Sequence, residues 1–140
     1  MLSYKMPRFT WDQYLRLSKS WFAQVSSDPG FELSEAIYRN IISRAYYSAL
    51  NHARLYVTHL DRDPLIIDFS RDESTHKKVI DHLNTHKRAQ AAVYLGRLKE
   101  QRVKCDYHDI MDKKTTWSSL CQESIEQSEY IFKSLEVLQK

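Results

Sequence analysis

Two glycines and three prolines are all that punctuate 140 residues. These are the residues that most disfavour a helix interior and most often mark a turn. Their scarcity predicts a few long helices rather than many short strands. At this length the chain suits one domain over residues 1–140, large enough to bury a hydrophobic core. No apolar run approaches the roughly 20 residues that cross a bilayer, so no membrane span is expected. The opening MLSYKMPRFTWDQY has no apolar signal-peptide core, and Cys105 and Cys121 are too few for a disulfide framework. Reduced thiols and a cytoplasmic location are expected.

Hydrophobic spacing divides the chain into helices. Thr10 and Gln13 form a capping box ahead of a first helix. In that helix Trp11, Tyr14, Leu15, Ser18, Trp21, Phe22 and Val25 recur at helical spacing, and Ser26 to Gly30 end it. Ser34 caps a second helix running to about Leu60. Its stripe of Ile37, Ile41, Ala45, Ala49 and Ala53 lets other helices approach closely, which makes it the central helix. Asp61 to Asp72 is a connector broken by Pro64, whose Leu65, Ile66 and Ile67 are expected to fold back onto the helices. A short helix opens at Ser74 or Thr75 and a polar turn follows near Asn84. A fourth helix carries Ala91, Leu95 and Leu98 towards Arg102. The last starts near Thr116 and runs close to the C-terminus, with Trp117, Cys121, Ser124, Ser128, Ile131, Leu135 and Leu138 as its seam. The predicted fold is all-α: an antiparallel bundle of four to five helices.

The net charge of +3 is unevenly spread. Residues 76–104 hold eight basic residues, among them Arg97, Lys99, Arg102 and Lys104, against Asp81 and Glu100, a local +6. Such a segment can attract a phosphate-bearing partner, or be an ordinary solvated helix face. Arg102 shares an apolar helix face with Leu95 and Leu98, where an arginine needs a partner. Asp106, four residues on, is within reach. His108 lies about 120° further around a continuous helix. For both to serve one site the helix must unwind around Asp106, or the second residue must come from another subunit. An arginine with a histidine suits metal-independent RNA cleavage. The 2′-hydroxyl is the nucleophile, the imidazole moves a proton, and the guanidinium holds the phosphate. The alternative is an Arg102–Asp106 structural ion pair beside a histidine with no catalytic part.

Other residues carry less. His82 and His86 lie one turn apart, near His76, without the glutamate or cysteines of a zinc site, so no metal is expected. His52 and His59 suit partial burial or interface packing. Tyr46 and Tyr47 can stack on bases, or fill the core and find a hydroxyl partner. Arg44 can touch phosphate or make an ion pair within the bundle. No glycine-rich phosphate loop, Ser-His-Asp arrangement or paired-carboxylate motif is visible, and no cofactor is expected.

The run from Tyr38 to Ala53, with Arg44, Ala45, Tyr46, Tyr47 and Ala53, resembles the Arg-x-Ala-Tyr-Tyr-x-x-x-x-x-Ala signature of HEPN (higher eukaryotes and prokaryotes nucleotide-binding) proteins. Thr75 to Ile80 is similar to that family's His-Lys helix start. Leu98 to Tyr107 is similar to its Leu-x-x-x-Arg-x-x-Ala-Asp-Tyr segment, with Cys105 at the alanine. The resemblance implies a bundle that homodimerises, with a composite ribonuclease site in the nuclease branch. Arg102 and His108 meet that branch's spacing and take its catalytic roles, whereas Val103 stands where catalytic members commonly carry Asn, Asp or His. Lys99, Lys104, Arg97 and Arg44 are the expected nucleic-acid contacts, with Asp106, Tyr107 and Tyr47 in support. The implied setting is toxin or defence work, in some members beside a nucleotidyltransferase antitoxin partner. The alternative is a non-catalytic module that binds RNA, a nucleotide or a protein.

Overall fold

The computed structural model describes residues 9–59, 75–108 and 116–136. They form five helices and no strand: α1 (Asp12–Ser27), α2 (Ser34–His59), α3 (Thr75–Thr85), α4 (Ala89–Tyr107) and α5 (Trp117–Ser134). None of these helices is long and apolar enough to cross a membrane. The Leu65–Ile66–Ile67 plug, the His59 side chain and Leu138 lie outside the described residues.

The central helix is α2, which packs against all four others. Its stripe of Ile41, Ala45, Ala49 and Ala53 is wholly buried, and three of these four are alanines. With so little bulk between them, neighbouring helices come close enough to hydrogen-bond to the α2 backbone. Ser18 of α1 donates to the Ile41 carbonyl at 3.1 Å, and Ser128 of α5 donates to that of Ala45 at 3.0 Å. The Cys121 thiol reaches the Tyr38 carbonyl at 3.5 Å.

These contacts fix helix sense. Ser18 meets Ile41 while Ser48 meets Trp11, so α1 and α2 are antiparallel. Arg39 meets the end of α4 and Arg88 the Tyr56 ring, so α4 is also antiparallel to α2. In contrast, Cys121, Ser128 and Leu135 meet Tyr38, Ala45 and His52, two heptad ladders advancing together. Helix α5 is therefore parallel to α2, so the long helices α1, α2, α4 and α5 alternate in sense along the chain, as in an up-down-up-down antiparallel bundle. The serines and cysteine at heptad spacing set this pairing, because a small hydroxyl or thiol admits close approach and donates to a carbonyl.

Two buried clusters fill the interior. One joins α2, α3, α4 and α5 around Tyr46, Val57, Leu83, Leu95, Leu98 and Ile131. The other lies at the opposite end of α2, around Leu15, Ile41, Ile42, Cys121 and Ile125. Cys105 and Cys121 are both free and buried there, and burial pushes their thiols up to about 11 and about 12. Neither is a ready nucleophile at neutral pH.

Local signals depart from expectation at two helix ends. The Thr10 hydroxyl donates to the Asp12 carboxylate, and Trp11, with helical backbone angles, is the residue that precedes α1. The turn after α3 comes at His86 and Lys87 rather than at Asn84, which remains helical. Lys87 has φ 63°, and the Arg88 N–H returns to the Leu83 carbonyl at 2.8 Å. That left-handed backbone strains a side-chain-bearing residue by about 1 kcal/mol. Lys87→Gly is accordingly expected to raise stability by about 0.5 kcal/mol after the added freedom of the unfolded chain is subtracted. Urea denaturation measures it, and a destabilised variant would contradict the reading.

Candidate nucleic-acid interface

Helix α4 carries the residues that the sequence singled out, on two different faces. Arg97 and Lys104 lie a heptad apart and are exposed. Arg102 lies about 140° around the helix from Arg97, turned towards α2, with Lys99 less than a quarter-turn away. The basic segment is thus split into a solvated stripe and a half-buried pair.

Arg102 sits in an aromatic cradle. Its guanidinium carbon is 5.3 Å from the Tyr46 ring centroid, 5.4 Å from that of Tyr47 and 6.0 Å from that of Tyr107. Nη1 donates to the Asp106 carboxylate at 3.3 Å, one helical turn on. The side chain is only 15% exposed, and its buried Nε has no hydrogen-bond partner among the described residues. Burial by itself would weaken the charged form. The surrounding Tyr47, Asp106 and Tyr46 outweigh that and hold the guanidinium firmly protonated.

The cradle extends to a residue that the sequence did not connect with Arg102. Tyr46, 2% exposed, places its hydroxyl 3.0 Å from Nδ1 of His76 at the start of α3. Burial pushes the Tyr46 phenol up to about 12, while the charge and hydrogen bonding of Arg102 work the other way. The Tyr46 hydroxyl and His76 Nδ1 share one hydrogen bond, whose donor is set by the imidazole tautomer. Burial, with the nearby charges of Lys99 and Arg102, lowers His76 to about 4. His76 is therefore neutral at pH 7.

His76 has a consequence for acid stability. Its folded value lies below the unfolded value of about 6.5, so the stability tied to the neutral imidazole is fully present above pH 6.5. It is lost as the pH falls from there towards 4. Allowing for the solvent that reaches the imidazole, the loss is expected to be about 1–2 kcal/mol. His76→Gln should flatten the decline in melting temperature between pH 6.5 and 4.5. Part of the decline should remain, because burial also lowers His52, whose Nε2 contacts the Leu135 carbonyl. A variant that declines as steeply as the parent would exclude His76 as a source.

His108 is placed apart. Helix α4 continues through Asp106 and Tyr107, so it does not unwind where a single-chain Arg102–His108 site would need it to. His108 follows with extended backbone (φ −95°, ψ 117°), and its imidazole is exposed. Among the described residues no hydrogen bond, ion pair or ring contact joins that imidazole to Arg102. Its position is set by Arg39, which the sequence reading passed over. Arg39 Nη1 donates to the carbonyls of Cys105 at 2.9 Å and His108 at 2.7 Å, with its guanidinium 5.5 Å from the Trp117 ring. It caps the C-terminus of α4, where open carbonyls favour a cation.

Comparison with protein-family models, curated proteins and solved structures finds no match. The remaining expected contacts have local partners. Arg44 lies 5.1 Å over the Tyr14 ring and has no ion pair among the described residues, and Arg97 lies 5.8 Å over Tyr94. The His82 and His86 rings stack at 3.9 Å, with His86 Nδ1 turned to the His82 carbonyl. No group of three or more His, Cys, Asp or Glu among the described residues is arranged to hold a metal ion.

Proposed function

We propose that this protein is an RNA-directed domain of HEPN type, and that Arg102 is the group that receives the RNA phosphate. The observation that carries this reading is the cradle itself: a guanidinium held charged among three tyrosine rings, one of which, Tyr107, is 71% exposed. A backbone phosphate meets the cation while a neighbouring base stacks on the open ring, as in single-stranded RNA recognition generally. The exposed Arg97 and Lys104 add attraction without sequence preference.

Cleavage is a second reading, favoured by the exposed His108 that Arg39 holds at the end of α4. In one chain His108 and Arg102 act on different faces, so cleavage requires a second copy to bring its imidazole to the cradle. There the imidazole would take the proton from the 2′-hydroxyl as that oxygen attacks the phosphorus and the 5′-oxygen leaves.

Both readings are tested with purified protein and mixed RNA in EDTA. Salt-sensitive binding is expected, weakened roughly tenfold or more in Arg102→Ala, the size of one charge-assisted contact. Unchanged binding in that variant removes Arg102 from the interface. RNA cleavage by the parent that disappears in His108→Ala selects the nuclease reading, and an intact RNA pool selects binding alone.

A further inference from the structure

We propose that Arg44, with Phe9 and Tyr14, forms a second nucleotide subsite, so that one single strand of RNA crosses α2 between it and the Arg102 cradle. This rests on the RNA reading above and adds the strandedness of the ligand and the path it takes. Its geometric basis is the order of three neighbouring residues on α2. Tyr47 lies about 100° around that helix from Tyr46 and about 60° from Arg44, and so falls between them. On one flank Arg102 meets the rings of Tyr46 and Tyr47 at 5.3 and 5.4 Å. On the other, Ser48 donates to the Trp11 carbonyl, which sets α1 against α2 with Arg44 5.1 Å over the Tyr14 ring.

The two flanks carry the same pairing of cation and open ring. Beside Arg102 stands Tyr107, 71% exposed. Beside Arg44, Phe9 packs on Tyr14 at 5.3 Å and on Trp11 at 4.8 Å, both edge to face, and remains 50% exposed. Arg44 is half-buried, with no hydrogen bond or ion pair among the described residues. Unlike Arg102, it has no nitrogen buried without a partner. The carboxylate nearest this ring cluster in sequence, Asp12, is engaged by the Thr10 hydroxyl. A single strand repeats a phosphate and an unstacked base, which matches a repeated guanidinium and ring. Duplex RNA keeps its base faces inside the helix, and an acidic peptide brings no flat group to Phe9.

The experiment measures binding of a single-stranded hexaadenylate, and of the same strand annealed to hexauridylate, over a series of salt concentrations. The single strand is expected to bind roughly tenfold more tightly than the duplex. Arg44→Gln should weaken its binding roughly tenfold and lower the salt slope by about 0.7, the share of one phosphate on a single strand. Arg44→Lys should restore the slope. Phe9→Ala should weaken binding by a similar factor at unchanged slope, because the ring carries no charge. Circular dichroism and melting of each variant report whether the fold is retained. Weaker binding of Arg44→Gln at the parent slope would make Arg44 a structural residue and overturn the phosphate contact. Parent-like binding by both Arg44→Gln and Phe9→Ala overturns the subsite, and a loss in Arg102→Ala would then leave the RNA reading intact. If Arg44→Gln weakens binding and Arg102→Ala does not, the path across α2 is overturned together with the role of Arg102. Equal or tighter binding of the duplex overturns the assignment to a single strand, and no binding of either RNA overturns both readings.

Discussion

Arg102→Ala is expected to lower the stability of this bundle by about 2 kcal/mol, a melting-temperature drop of roughly 6–8 °C for a chain of this size. The faces of buried Tyr46 and half-buried Tyr47 contribute most, at about 1 kcal/mol each for a largely desolvated cation–π contact. The Asp106 pair adds only about 0.3–0.5 kcal/mol, since that carboxylate is partly solvated and sits one turn away on the same helix. Against these stands the buried Nε with no partner, whose removal recovers about 1 kcal/mol. The void left over Tyr46 restores the balance to about 2 kcal/mol. Arg102→Lys should recover the ion pair but not the planar stacking, and so fall between the two. If the alanine variant melted with the parent, the guanidinium would be a surface group and the cradle would carry no energy.

Leu98→Ala should cost more, about 3 kcal/mol. Leu98 is fully buried in the cluster shared by α2, α3, α4 and α5. Truncation forfeits the transfer energy of its methyl groups and leaves a cavity that four packed helices cannot collapse around. Leu98 also lies one turn before Arg102 on the same face of α4. Its loss should therefore loosen the cradle, and RNA binding should weaken even where the protein remains folded. Urea unfolding reports the first effect as a lower midpoint at unchanged slope. A cost under about 1 kcal/mol would mean that α4 does not pack as described.

The helices were readable because their signal is local. Scarce glycine and proline and apolar residues at spacings of three and four placed α1, α2, α4 and α5 near their observed bounds. The Arg102–Asp106 pair was readable for the same reason, since a four-residue separation on a helix brings two side chains together. The Thr10 capping box failed because Asp12 offered its hydroxyl a charged acceptor closer at hand. The contact of His76 with Tyr46 and the capping by Arg39 were not legible because the partners are distant in the chain. His76 lies 30 residues from Tyr46, and Arg39 lies 66 and 69 residues from the carbonyls it caps.

The sequence by itself determined that this chain is helical, which face of each helix is apolar, and that Arg102 is a cation set among apolar neighbours. Only the tertiary structure decided that α5 runs alongside α2 in the same sense, that Tyr46 and His76 complete the surroundings of Arg102, and that Arg39 holds the backbone of His108 at the end of α4. Periodicity records which side of a helix avoids water, and that follows from side chains a turn or two apart. It does not record which other helix covers that side or in which direction. That choice is made by steric fit and hydrogen bonding between residues tens of positions apart, such as Ser128 reaching the Ala45 carbonyl.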